Sequence, residues 1–216
     1  MASDNQANRV ALKREEILEE ATRLFAAEGY ARAKVDDVAA GLGIAKGTVY
    51  RYFSTKEQLF LAAADKAMEG LQSAILSVTD PIDDPFEKIK AAVKAYLSFF
   101  DANLHLIEIF VHERAEFRDR KKPTFLTYRD KNISKFETLL AEMKQAGLVR
   151  DIDEKSTAAT VANMLYGTVH MHFLRGGQER LSRLAPQIID IIFQGILTPA
   201  GTGANASSAA REAKRK

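Results

Sequence analysis

Lys46, Gly47, Thr48, Tyr50, Tyr52 and Lys56 fall within one short stretch, KGTVYRYFSTK. Their side chains are of the types that a DNA major groove and its flanking phosphates accept. Thr48 offers a hydroxyl to a base edge and a methyl to thymine, and Lys46 reaches guanine or phosphate. Tyr50, Tyr52 and Lys56 stand where side chains clasp phosphates, and Lys34 and Arg51 add positive charge beside them. Gly47 is costly inside a helix, by about 1 kcal/mol against alanine. A close approach of backbone to DNA accounts for it. Taken singly, Tyr50 and Tyr52 fit a small core or an ordinary surface better than a phosphate clasp. The whole register from Val35 to Phe60 favours the clasp.

The elements that must hold these residues read as all-α. A first helix spans Leu12 to Glu28, with Ile17, Leu18, Ala21, Leu24 and Phe25 on one stripe and Gly29 as its C-cap. A short helix follows over Val35 to Leu42, then a turn at Gly43 and a second short helix over Lys46 to Tyr52. Ser54 and Glu57 form an expected capping box for a long helix to about Leu76. Asp84 caps the next, with Pro85 at its first position, to about Phe100. Further helices are expected over 104–114, 123–145, 154–174 and 179–197. The domains are therefore 9–60 for the reading head, with a connecting helix 55–76, and 67–197 for the helical body. Residues 198–216 form a small, polar, basic tail that reads as disordered.

The body supplies apolar groups rather than chemistry. Phe99, Ile107, Phe110, Val111, Phe125, Tyr128, Met164, Tyr166, His170 and Phe173 are expected to line a largely apolar pocket for an aromatic or aliphatic small molecule. Each of them alone fits a packed core more readily. Thr160 to Phe173 is nearly apolar all round and the last helix carries too many large apolar residues for one face, which predicts that Leu165, Val169, Ile188, Ile192 and Phe193 pair with a second copy in a four-helix bundle. His105, Glu108 and His112 share one helical face at a spacing that suits a divalent metal, but a polar surface stripe fits better. The basic run Arg114, Arg118, Arg120, Lys121 and Lys122 suits a solvated loop, with an acidic ligand such as an acyl thioester as the functional alternative.

Composition excludes more than it selects. The 216 residues contain no cysteine, so disulfide and thiol chemistry are absent; a reducing cytoplasm is compatible. No signal-peptide segment and no apolar run of about 18 residues appear, so no membrane partner is expected. Net charge is only +2, so any DNA affinity must come from local geometry. No nucleophile–base set and no phosphate-binding glycine loop is present. The chain reads as no enzyme, and no cofactor is implied.

Gly29, Val38-Ala39, Gly43, Gly47-Thr48-Val49-Tyr50, Tyr52-Phe53, Ser54 and Lys56-Glu57 through Leu59 together resemble the DNA-binding domain of the TetR family of transcriptional regulators, over about residues 12–60. The resemblance implies an all-α fold: an N-terminal three-helix helix-turn-helix domain and a larger ligand-binding and dimerisation domain. It implies DNA contacts at Lys46, Gly47, Thr48, Tyr50, Tyr52 and Lys56. It further implies a cytoplasmic homodimeric repressor of a palindromic operator, released by a small effector. An effector-independent or architectural DNA binder and a metal-responsive regulator are the alternatives. Two positions depart from the family pattern. Ala33-Lys34 and Ala45 replace the usual hydroxyl caps of the two short helices, each cap being worth about 1 kcal/mol.

Overall fold

The computed structural model describes the backbone of residues 2–194 and side chains from residue 6 onward. The described residues form helices α1 (Ala2–Arg32), α2 (Val35–Gly41), α3 (Lys46–Tyr52), α4 (Lys56–Thr79), α5 (Pro85–Asn103), α6 (Leu106–Glu116), α7 (Thr124–Gln145), α8 (Glu154–Leu174) and α9 (Ala185–Gln194), with a 3₁₀ turn at Leu181–Leu184. The tail expected at 198–216, and the end of the last expected helix, lie outside them.

Side-chain caps fix the starts of α4, α5 and α8. Asp84 accepts from the Glu87 N–H at 2.8 Å, and Asp153 accepts from the Ser156 N–H at 2.6 Å. Gly29 breaks the helical path with φ +75° and ψ 168°, so the α1 stripe ends where expected. Three expectations need correction. The first helix begins ten residues early, because the polar stretch before Leu12 carries no apolar period to announce it. The cap of α4 is Thr55, not Ser54: its hydroxyl accepts from the Gln58 N–H at 3.0 Å. Gln58 in turn accepts from the Ser54 N–H and hydroxyl at 3.2 and 2.7 Å. The box is thus present one residue later. The last helix starts at Ala185, because the Asp101 carboxylate takes the N–H groups of Leu181 and Ser182 and holds that segment as a separate turn.

Two cores divide the chain. The first gathers Ile17, Phe25, Val38, Val49, Phe53 and Phe60 from α1–α4, and Leu106 and Ile109 of α6 complete it. The second lies among α4, α5, α7, α8 and α9, around Met68, Leu71, Leu97, Phe100 and Val169, and takes Ile107 of α6. Helix α6 is therefore packed into both.

Candidate functional site

Helix α3 owes its position to one inward residue. Val49 is fully enclosed, and Phe53 at the C-cap is nearly so; burial of such side chains stabilises by about 1.5–3 kcal/mol each. The opposite face is left to solvent. Lys46, Gly47, Tyr50 and Arg51 are exposed, and Thr48 and Tyr52 are half-buried. A side chain at Gly47 would meet nothing within 4 Å. No packing demand inside the protein explains that glycine, which is what a surface made for a close partner requires. Neither α2 nor α3 has a side-chain cap: Lys34 and Ala45 occupy those positions.

The charges of this face are held in place. Lys46 Nζ lies 2.7 Å from Asp36 Oδ2. That hydrogen bond holds the Asp36 carboxyl below its ordinary range and raises the lysine. The Arg51 guanidinium stacks over Tyr52 at 5.4 Å. Lys34 stands exposed at the start of α2. Lys56 differs from the others. Its ammonium sits 4.5 Å over the Tyr30 ring and 3.4 Å from the Ala31 carbonyl, and burial lowers its pKa. It ties the start of α4 to the end of α1.

Tyr30 belongs to a joint that pattern-reading missed. Its ring packs on Phe60 at 5.1 Å and on Phe117, the C-cap of α6, at 4.9 Å. One turn back on α6, His112 lies over Gly29, where a Cβ would come within 2.5 Å of the imidazole. Further along, the buried carboxylate of Glu113 accepts from the Thr124 N–H at 2.8 Å and pairs with Arg120. Lys122 pairs with Asp130 at 2.8 Å. Two members of the basic run therefore fasten the α6–α7 connection.

The body contains a cavity of about 550 Å³ between α4, α5, α7 and α8. Its wall takes Met68, Leu71 and Ile75 from α4; Ile89, Val93 and Tyr96 from α5; Phe125, Arg129, Ile133 and Phe136 from α7; and Val161 and Leu165 from α8. The size and the apolar lining fit a small organic molecule.

Residues 17–63 match the family model described as bacterial regulatory proteins, tetR family, and residues 83–196 match the Tetracyclin repressor-like C-terminal domain. The chain belongs to the TetR family. It is 28% identical over 181 residues to the nucleoid occlusion factor SlmA of Vibrio vulnificus (strain YJ016), covering 79% of this chain and 86% of that one. The fatty acid degradation regulator FadR from Bacillus halodurans superposes with a TM-score of 0.76 at 22% identity, over 85% of this chain and 96% of that chain. The FadR of Bacillus subtilis, solved in complex with stearoyl-CoA, gives 0.74 at 19% identity, over 85% and 99%. The chain is thus a DNA-binding regulator with a ligand-binding domain, and not an enzyme.

Within this TetR frame the expected body residues are placed differently. Of the ten proposed effector contacts, Phe125 alone lines the cavity. Ile107 is core, and Phe99, Phe110, Met164, Tyr166 and Phe173 pack around that core. Tyr128 packs there too, its hydroxyl 3.4 Å from Glu69. Val111 is 38% exposed. His170 stacks on Tyr166 at 5.6 Å, and its Nδ1 is buried with no partner among the described residues. These residues are spread over α5, α6, α7 and α8, and apolar character alone does not separate the turns that face the cavity from those that face other helices.

The residues expected to pair hold different places in the protomer. Val169 is fully enclosed and Ile188 nearly so inside the protomer. Leu165 faces the cavity, Ile192 packs on the body core, and Phe193 meets Phe86 at 5.5 Å. The large apolar side chains these helices leave exposed are Met171, Leu174 and Ile191. Among the described residues no group of three or more His, Asp or Glu could hold a metal; of the stripe, only His112 and Glu108 approach, at 3.6 Å. No described helix is long and apolar enough to cross a membrane.

Proposed function

We propose that the chain is a homodimeric repressor that reads a palindromic operator through α3 and is released when a largely apolar effector fills the cavity. The observation that carries this reading is the position of α6 between the two. Phe125 of the cavity wall meets Phe110 of α6 at 5.6 Å, Leu106 and Ile109 of the same helix complete the core of the head, and Phe117 at its end packs on Tyr30. An effector that moves the α7 wall displaces a helix on which the reading head is built. Pairing is supported by α8, which buries only Ala158 and Val169 of its 21 residues and leaves Met171 and Leu174 exposed. A stearoyl-CoA complex of a protein with the same fold supports an aliphatic ligand.

Similarity to a nucleoid occlusion factor favours a second reading, an architectural DNA-binding protein, for which release by a small effector is not expected. One experiment separates them. Fragments of source DNA bound by the purified protein are selected at near-physiological salt and sequenced, and the recovered site is then challenged with apolar compounds. A palindrome with half-sites about 34–36 Å apart, or a multiple, is expected, with release by at least one compound. Enrichment without release selects the second reading. No enrichment rejects both.

A further inference from the structure

We propose that the cavity selects a free organic acid, with an extended apolar body and its anionic head seated by Arg129 and Tyr96 at the closed end. The inference rests on the reading of the cavity as an effector site. The wall residues of α7 run from Phe125 and Arg129 to Glu142, and the 13 residues from 129 to 142 span about 20 Å at 1.5 Å per residue. The far end is open, since Asp80, Thr138 and Glu142 there are exposed. The near end is closed by Met68 and Phe125, 1% and 9% exposed.

The polar groups of the closed end are donors. The Arg129 side chain is 19% exposed, and its nearest carboxylate, Asp130, lies 3.4 Å away on the outer side and is shared with Lys122. Its other contact is the side-chain oxygen of Asn163. A guanidinium carries five donors, so several remain for a ligand. Tyr96 and Arg129 line the same cavity, and burial keeps the Tyr96 phenol protonated above its ordinary range. A cation and a neutral hydroxyl at the bottom of an apolar chamber call for a ligand that brings negative charge and lone pairs. A thioester of a bulky polar carrier would keep its polar part at the open end, where Asp80, Lys88 and Glu142 stand, and need a bottom free of charge. The bottom here carries Arg129.

The test is calorimetric titration of the full-length protein with decanoate, decanol and decanoyl-CoA, each below its micellar concentration. Decanoate is expected to bind about tenfold or more tighter than decanol, as charged hydrogen bonds are worth. Arg129→Met should remove that preference by weakening decanoate and not decanol, and Tyr96→Phe, which keeps the ring, should weaken it in part without disturbing the fold. Equal binding of decanoate and decanol, or decanoyl-CoA as the tightest ligand, overturns the proposal and leaves the cavity reading standing. No binding by any of the three overturns both. An unchanged preference in Tyr96→Phe and in a folded Arg129→Met overturns the assigned residues.

Discussion

The reading face of α3 and the cavity of the body are built in opposite ways. The face comes from seven consecutive residues, and one inward side chain, Val49, sets which of the others point outward. The cavity draws on four helices spread over almost a hundred residues, from Met68 to Leu165. A surface written along one helix survives changes elsewhere in the chain. A chamber between four helices is altered by a shift in any of them, which suits a part whose ligand must be able to move it.

That difference is open to direct attack. The largest expected effect is at the face. In Gly47→Leu the new Cβ meets no internal neighbour within 4 Å and a helix glycine is relieved, so the melting temperature should hold or rise while operator affinity falls about a hundredfold; thermal unfolding and anisotropy on one sample report both. Next comes the outer side of the body. Leu174→Asp combined with Ile191→Asp places charge on the exposed apolar face of α8 and α9. It should convert a dimer to monomer by analytical ultracentrifugation and leave helix content unchanged. A dimer that persists moves the interface elsewhere.

The joint between the two regions gives a smaller change. Gly29→Ala puts a side chain at φ +75° and against the His112 ring, which should cost about 1 kcal/mol or somewhat more in chemical unfolding. Adding His112→Ala should recover the steric part and not the backbone part. The smallest effect concerns Asp65. Its pKa is raised, first by burial. The folded state therefore holds the proton more tightly than the unfolded chain does, and stability is lost as pH rises from below the ordinary aspartate range through the folded value. Asp65→Asn should flatten that limb of the stability–pH profile. A profile identical to the parent's would contradict the assignment.

The same contrast explains what the sequence makes legible. Gly43, Gly47, Val49, Tyr50 and Tyr52 announce the head because their roles depend on neighbours a few positions away. The Asp84 and Asp153 caps are legible for the same reason. Tyr96 and Arg129 are not, because nothing local distinguishes an aromatic or a cation that faces a chamber from one on an ordinary helix. Leu165 and Val169 illustrate the limit: both are apolar residues of α8, and four positions turn one into the cavity and the other into the core. The pairing of Asp36 with Lys46 and the packing of His112 on Gly29 leave no mark in the sequence, since each joins two elements.

The central claim, that the cavity governs the reading face, is tested most directly by filling the cavity. Ala92 lines it on α5, and Ala92→Phe adds a ring inside it without touching the head. Operator binding of the parent and of this variant is measured by anisotropy against a panel of apolar acids, alcohols and sterols. The account predicts that at least one compound releases the parent and that the variant, folded and binding DNA, ignores it. Release of both proteins at the same concentration would contradict it, because the effector would then act from somewhere else.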